Sequence, residues 1–311
     1  MNKISIIVPC YNEEEVLTRF YQETHAAVSA IPDTSYEFLF IDDGSRDHTL
    51  DILKLLCYQD SNCRYFSFSR NFGKEAAMYA GLKHACGDYC VIMDADLQHP
   101  PKLLAPMYHA LSQEGYDCCA GKRMGREGDG VMRSFLSRSF YSVIQKLTHM
   151  NMSDGDFRMM NRTMVDAILQ IQEYNRYTKG IFSFVGFETK WLEFENVERI
   201  AGQTKWSFWK LFKYSIEGIV AFTTTPLTLA SFMGFFMCML ALCSTVFIVV
   251  RKLLFGDPVS GWASTASIIT FIGGIQLFFM GIFGQYLAKA YTEIKNRPIY
   301  IIAESNLETE K

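Results

Sequence analysis

The chain lacks a dominant charge of either sign. Thirty Lys and Arg against 33 Asp and Glu leave a formal net charge of -3. That balance carries no electrostatic footprint for nucleic acid, which is excluded as a partner. It also lacks cysteine pairing. Nine cysteines are present, but Cys57, Cys63 and the adjacent Cys118-Cys119 show no C-x2-C spacing. Cys86 and Cys90 lie four apart, with no second Cys or His pair to complete a zinc ligand set. Unpaired thiols fit a reducing, cytosolic compartment. No Gly-x-Gly-x-x-Gly follows the first apolar run, and Gly73-Lys74-Glu75 lacks the upstream glycine and the Ser or Thr of a P-loop, so neither kind of nucleotide loop is present. There is no internal repeat and no low-complexity tract. The first apolar run, Ile4 to Val8, is too short for a signal-peptide core and reads directly as a strand. The most informative absence lies near the C-terminus. No Asp, Glu, Lys or Arg occurs from Leu227 to Val250 or from Ala263 to Ala288.

What is present alternates. Ile4–Val8, stopped by Pro9, Tyr36–Ile41, Arg64–Ser69 and Tyr89–Met93 are short β-branched and aromatic runs, read as buried strands. Helical stretches separate them, from Asn12-Glu13 to about Ala30, about Asp47 to Cys57 and about Lys74 to Ala85. A helix from about Pro101 to Gln113 and a strand near Asp117–Gly121 continue the series. Strands alternating with helices of this length predict an α/β domain with a mainly parallel, doubly wound sheet. From Arg123 to Glu198 the pattern is less regular, with a Gly-rich loop at 125–130 and a basic helical stretch from Val131 to Met150.

The charge-free runs hold 24 and 26 residues, roughly 36 Å or more as helices against a hydrocarbon core of about 30 Å. They predict two transmembrane helices, about 227–250 and 263–288, joined by a short turn containing Gly256-Asp257-Pro258. Before them, Trp206 to Thr225 interleaves aromatics with lysines and suits an amphipathic helix in the headgroup layer. Lys205, Lys210 and Lys213 precede the first run, and Lys289, Lys295 and Arg297 follow the second. The connecting turn has only Arg251 and Lys252. This asymmetry puts both termini and the α/β domain in the cytosol. The predicted organisation is therefore a domain over 1–205, juxtamembrane helices over 206–226, a membrane hairpin over 227–290 and a cytosolic tail over 291–311.

The sharpest chemical signal is Asp94-Ala95-Asp96-Leu97-Gln98. It follows a buried strand, at the edge where open α/β sheets bind ligands. Two carboxylates one residue apart, with Gln98 as a third oxygen donor or a supporting partner, can hold Mg2+ or Mn2+. Such an ion neutralises a diphosphate leaving group. Asp42-Asp43-Gly44-Ser45 likewise closes a strand. It reads either as a turn with a helix cap, Asp47 being a further cap candidate, or as part of the same crevice.

These segments resemble a known family. Pro9-Cys10-Tyr11-Asn12-Glu13, Asp42-Asp43-Gly44-Ser45 and Asp94-Ala95-Asp96-Leu97-Gln98 are similar to the family-2 glycosyltransferases of GT-A fold, a Rossmann-like architecture. Within them the chain resembles the polyprenyl-phosphate group, which includes the dolichol-phosphate mannose synthases and bactoprenol glucosyltransferases. Arg70-Asn71-Phe72-Gly73-Lys74-Glu75, Gly155-Asp156-Phe157-Arg158-Met159-Met160, Arg199-Ile200-Ala201-Gly202-Gln203-Thr204-Lys205 and the two apolar runs extend the resemblance over the whole chain. It implies that Pro9, Tyr11, Glu13 and Asp43 hold the nucleoside, with Asp43 near the base. Asp94, Asp96 and Gln98 would surround the metal and diphosphate. Arg123, Arg133, Arg199 and Lys205 would contact donor or lipid phosphate, and Asp156, beside Arg158, would shape the sugar or acceptor site. Asp94, Asp96, Asp156 and Arg123 are the candidate catalytic residues.

The implied reaction is a single inverting displacement. A phosphate monoester acceptor is already ionised near neutral pH and needs no strong base, so positioning and charge stabilisation carry the rate. Asp154 or Asp156 is a candidate to assist. The resemblance implies glucose from UDP-glucose, with UDP-N-acetylglucosamine, GDP-mannose or a modified aminoarabinose as alternative donors. The acceptor would be undecaprenyl phosphate in a bacterial inner membrane. A homo-oligomer, with a tetramer as the family expectation, and a flippase and downstream transferase in the same pathway are further implications. A processive polysaccharide synthase would carry Gln-x-x-Arg-Trp and more spans, and neither is present. A non-catalytic nucleotide-binding membrane scaffold would be expected to have lost the carboxylates or arginines, which are intact.

Overall fold

Ile4, Ile6, Ile7 and Val8 are all fully buried, which requires both faces of their strand to be covered, as in parallel sheets flanked by helices. The computed structural model of the protein describes residues 1–124, 156–195, 225–255 and 261–306. They form two units, one from the described residues of 1–195 and 297–306, the other from those of 225–296.

The first unit carries β1 (Asn2–Cys10), α1 (Leu17–Ser29), β2 (Thr34–Asp42), α2 (Thr49–Gln59), β3 (Cys63–Phe68), α3 (Lys74–His84) and β4 (Tyr89–Ile92). A 3-10 turn at Pro101–Leu103 leads into α4 (Leu104–Ser112), and β5 (Cys118–Met124), β6 (Arg158–Asn161), α5 (Arg162–Gln170), α6 (Thr178–Phe184) and β7 (Thr189–Glu195) complete this run. Eight strands form one sheet in the order β7-β5-β6-β4-β1-β2-β3-β8, with β8 at Ile302–Ser305. β1 pairs in parallel with both β2 and β4, β2 with β3, and β5 with β7. β6 runs antiparallel between β4 and β5, and β8 runs antiparallel along β3. The expected α/β, mainly parallel architecture is present.

One face of the sheet, with Ile6, Val8, Phe38, Phe40 and Val91, packs with Leu17, Phe20, Leu53, Leu104 and Met107 in a single core. The other face meets α3, whose Ala76 to Leu82 are all buried. The helix lies so close to β1 that a Cβ on Gly81 would stand 2.2 Å from Ile7 Cγ2. A side chain there would have to displace the Ile7 side chain, a cost of about 1–3 kcal/mol.

Three sequence expectations are corrected. Pro9 does not stop β1, which runs on to Cys10. The Ile7 carbonyl accepts from Met93 N at 3.0 Å, so Pro9, two residues on, turns its missing N–H towards the β4 side, and β4 has already ended at Ile92. No ladder bond is lost. α1 begins at Leu17 rather than near Asn12, because the backbone of Asn12–Glu14 is bonded to the loop after β2. Within the span expected as a cytosolic tail, Ile302–Ser305 forms an edge strand. Its Glu304 accepts from Lys54 Nζ at 3.0 Å and Tyr65 Oη at 2.8 Å, and Tyr300 stacks on Phe68 with ring centroids 5.0 Å apart.

The second unit holds two long helices, α7 (Thr225–Phe255) and α8 (Trp262–Ile294). Among the described residues one stretch, Phe271–Ile294 within α8, is long and apolar enough to cross a membrane. Large apolar side chains stand exposed on both helices, including Phe235 at 68% and Leu277 at 75%. The juxtamembrane stretch 206–224 and the inter-helix turn 256–260 lie outside the described residues.

Candidate active site

Sheet order places β1 between β2 and β4, so the chain's winding reverses there and a crevice opens beyond the strands' C-terminal ends. Four loops meet that edge, at 10–16, 42–48, 69–73 and 93–100.

The first two loops are stitched together. Asn12 N–H donates to Ser45 Oγ at 3.0 Å, Glu13 N–H to Thr49 Oγ1 at 2.8 Å and Glu14 N–H to Asp47 Oδ2 at 3.3 Å. In return, Asn12 Oδ1 accepts from Arg46 N at 2.9 Å and Glu14 Oε2 from His48 N at 2.9 Å. Asn12 takes φ of 55°, a left-handed conformation that asparagine tolerates better than most residues. Between the loops lies a cleft of about 460 Å³ lined by Asn12 to Val16, Arg46 and Asp47. Tyr11 is exposed beside it. Asp47 also caps α2, accepting from Thr49 N at 3.1 Å.

Asp42 and Asp43 face inward. Asp42 accepts from Ser67 Oγ at 2.6 Å and from Ser45 N at 3.0 Å. Both oxygens of Asp43 are taken by backbone, from Phe72 N at 2.6 Å and Gly73 N at 2.9 Å. Burial raises the Asp43 pKa and these two N–H bonds only partly oppose it. Asp43, expected near a base, thus pins the loop that opens α3. Gly44 is required where the two loops touch: its φ is +68°, and a Cβ would lie 2.6 Å from the Arg70 carbonyl carbon.

The carboxylate pair sits on a strained turn. Leu97 has φ of 58°, sparsely populated for a bulky residue. Its side chain is 95% buried, so core packing holds the strain in place. The turn is tightened by Gln98 N–H donating to Asp96 Oδ1 at 3.1 Å. His99 is buried, stacked on Phe157 at 4.7 Å and 8°. Its Nδ1 accepts from Asp94 N at 3.1 Å, which assigns the remaining proton to Nε2. An imidazole thereby fixes the backbone of the first carboxylate.

Lys74, the first residue of α3, reaches this turn. Its Nζ lies 2.7 Å from Asp94 Oδ1, 2.9 Å from Asp94 Oδ2 and 2.7 Å from Asp156 Oδ2. Burial opposes the lysine's charge, but the two carboxylates outweigh it and raise its pKa. Burial likewise pushes Asp156 up, and Lys74 with Lys179 outweighs that, holding it below the usual carboxylate range. Next to Lys74, Glu75 accepts from Thr178 N at 2.8 Å and from the Thr178 hydroxyl. Burial raises its pKa. Arg176 covers the Tyr79 ring at 4.3 Å. α6 is fastened to α3 by these contacts.

The structure therefore gathers Asp94, Asp96, Gln98 and Asp156 at one crevice, with Tyr11 and Glu13 on the loops at the same sheet edge. Arg123 stands on β5, its backbone in register with Phe194. Its side chain, and all of Arg133, Asp154, Arg199 and Lys205, lie outside the described residues. Sequence reasoning assigned no role to Lys74, His99 or the Glu75–Thr178 contact. The available signal is a lysine opening a helix at the same sheet edge as the carboxylates.

The donor set at Asp94, Asp96 and Gln98 is all oxygen and suits a hard divalent cation. Among the described residues no group of three or more His, Cys, Asp or Glu side chains is arranged to hold a metal. A hard divalent cation held by one or two carboxylates takes its other ligands from water and substrate phosphates.

Known proteins resemble this chain over most of its length. The profile of "Glycosyl transferase family 2" matches residues 5–169. CsbB of Bacillus subtilis, which carries a provisional glycosyltransferase name, is 41% identical over 98% of this chain and 92% of its own length. The SfII prophage-derived bactoprenol glucosyl transferase of Shigella flexneri is 38% identical over 98% of both chains. Among solved structures, glucosyl-3-phosphoglycerate synthase from Mycobacterium tuberculosis, in complex with Mn2+ and UDP-glucose, superimposes with a TM-score of 0.47 and 18% identity. That match covers 70% of this chain and 77% of the other. A mostly parallel α/β sheet with its carboxylates at the switch point, a family profile spanning that domain and relatives matching end to end together show that this chain belongs to glycosyl transferase family 2 and is a glycosyltransferase.

Proposed function

We propose that the chain moves a hexose, glucose from UDP-glucose, onto undecaprenyl phosphate, inverting the anomeric centre and yielding a lipid-linked sugar. The observation that carries this reading is the Asp94–Gln98 turn at the switch point, its first carboxylate already gripping a cationic group. The near-full-length likeness to a relative named bactoprenol glucosyl transferase supports the lipid acceptor and the sugar.

In this reading Asp94 and Asp96, with Gln98, hold Mg2+ or Mn2+, which when bound supplies charge neutralisation at the departing diphosphate. Pro9, Tyr11, Glu13 and Asp43 form the nucleoside side of the crevice. Asp43 acts there through the 70–73 loop, whose shape it fixes. Asp156 faces the transferred sugar, held in orientation and kept ionised by Lys74. The acceptor phosphate brings its own negative charge, so no residue has to remove a proton from it. What the protein must overcome is the repulsion between two anions in a partly dry cleft. Arg123, Arg133, Arg199 and Lys205 are assigned to that task, arginine being the better fork for phosphate oxygens. α7 and α8 cross the membrane as a hairpin, with the catalytic domain in the cytosol. The homo-oligomer, a flippase and a downstream transferase belong to the same reading.

The test is a donor panel. UDP-glucose, UDP-N-acetylglucosamine and GDP-mannose, each radiolabelled, are offered to the full chain in detergent with one polyprenyl phosphate. Label should pass to lipid from UDP-glucose far faster than from the others. Preference for another donor overturns the sugar assignment. No lipid labelling from any donor overturns the acceptor.

A further inference from the structure

Lys74 is an exposed residue whose ammonium is nonetheless fully engaged by carboxylates. Its ammonium contacts both oxygens of Asp94 and one of Asp156, and its side chain keeps 41% exposure. Asp94 is also the first of the two carboxylates assigned to the divalent cation. One carboxylate therefore has two claimants of like charge. An ammonium 2.7 Å from Asp94 Oδ1 lies in the region from which a cation would approach that oxygen. Two cations a few ångströms apart in a half-buried site repel strongly.

We propose that Lys74 is a resident counter-cation of the Asp94–Asp156 pair, which keeps the empty crevice in low affinity for divalent metal until a nucleoside diphosphate supplies further oxygen ligands. This rests on the reading of Asp94 and Asp96 as the metal carboxylates. Three features of the fold serve the role. Lys74 is fixed at the start of α3, whose preceding loop is pinned by Asp43. Glu75 anchors the same turn to α6 through Thr178. Asp156 offers the ammonium a second partner, so the lysine can release Asp94 without losing its ion pair. The consequence is an order of events: metal and donor enter together, and the crevice without donor is held together by its own lysine. Lys74 is thus a positioning residue, acting through Asp94 and Asp156.

The test reads metal binding rather than turnover. Mn2+ alone is titrated into the full chain in detergent and followed by electron paramagnetic resonance, with and without UDP, for wild type, Lys74→Gln, Lys74→Arg and Asp96→Asn. Without UDP, Lys74→Gln should bind Mn2+ about tenfold more tightly than wild type, the scale expected when one adjacent charge is removed. Lys74→Arg, which keeps the charge, should stay close to wild type. UDP should tighten wild-type binding by about tenfold or more and Lys74→Gln by much less. A purely structural lysine predicts the opposite sign, because its loss would loosen the turn and weaken Mn2+ binding. Unchanged or weaker binding in Lys74→Gln overturns the inference. Should that variant not fold, Lys74→Met is read by the same criteria, and equal wild-type Mn2+ affinity with and without UDP also overturns the inference. Asp96→Asn separates the two layers. If it binds Mn2+ like wild type, the metal assignment has failed; if it loses Mn2+ while Lys74→Gln matches wild type, only the counter-cation role has.

Discussion

The two ends of the sheet hold two charge clusters built in opposite ways. Near the N-terminal ends of the strands, Glu37 is one buried carboxylate surrounded by donors. It accepts from Ser5 Oγ at 2.6 Å, Cys86 N at 2.8 Å and Lys3 Nζ at 2.8 Å, with Arg64 at 3.7 Å. Ser5 Oγ in turn accepts from Gly87 N at 2.9 Å. At the C-terminal ends, Lys74 is one ammonium shared between two carboxylates, with Asp96 two residues from the first. The first cluster is complete, and a further cation would find no place in it. The second sets Asp94, Asp96 and Asp156 at an open crevice, the first two on a turn held in a strained conformation at Leu97. A carboxylate surrounded by donors stabilises a fold, whereas carboxylates that share a cation at a crevice can exchange it for one that comes with a ligand. The lesson is that charge stoichiometry and access, rather than burial of a charge, separate a structural cluster from a working one.

The comparison can be broken most severely at Asp96. Asp96→Ala should abolish lipid-linked transfer, by about a thousandfold or more, the scale expected when a leaving-group charge loses its stabilisation. Because the Asp96 side chain accepts a local turn bond rather than packing in the core, protein yield and thermal midpoint should stay near wild type. Substantial metal-dependent turnover in that variant would show that the crevice cluster is structural after all.

Glu37→Gln should do the reverse. Losing a buried charge that carries several donors should cost about 1–3 kcal/mol of stability while leaving turnover per folded molecule unchanged. Denaturant unfolding and initial rates, compared on the same preparation, give both halves. The pH dependence sharpens the point. Burial pushes Glu37 up, but bonds from Lys3, Ser5 and the Cys86 N–H outweigh it, and its carboxyl sits below the usual range. A depressed folded pKa stabilises fully above the unfolded value of about 4.3 and loses that contribution as pH falls through the folded value. Wild type should therefore lose its advantage over Glu37→Gln below about pH 4.

His99 tests whether the crevice turn is held from behind. His99→Ala leaves the Asp94 N–H without its imidazole acceptor and opens the stack on Phe157. Transfer should fall about tenfold, with a stability loss of about 1–3 kcal/mol. His99→Asn can accept the same N–H and should recover part of the rate; no recovery would assign the imidazole a role other than positioning. The smallest effect belongs to the sheet edge. Glu304 is paired with Lys54 and Tyr65 in solvent, and Glu304→Gln should shift stability by no more than about 0.5 kcal/mol without changing the rate.

Much of this molecule was legible in one dimension. The β-branched runs at Ile4–Val8, Tyr36–Ile41 and Tyr89–Met93 announce buried strands because only a doubly covered sheet can bury every residue of such a run. Asp94-Ala95-Asp96 announces itself because two carboxylates directly after such a strand have nowhere to go but the sheet's edge. What the sequence could not decide were relations between distant segments. Pro9 reads as a stop and is part of β1, since the side on which its N–H is missing has no neighbour at that height. Asp43 reads as a turn residue or part of the crevice, and its bonds to the backbone of Phe72 and Gly73 are set by two loops crossing at Gly44. Ile302–Ser305 reads as a tail and becomes an edge strand only because β3 offers unpaired backbone. Lys74 reads only as one residue of the Arg70–Glu75 segment, and its meaning comes from Asp94, 20 residues on, and Asp156, 82 residues on. Local periodicity and composition determine strands, helices and the edge at which chemistry sits, because those are properties of neighbours in the chain. Which charges share a partner was decided by tertiary structure alone, because Coulomb energy depends on ångströms across the fold and the sequence records only order.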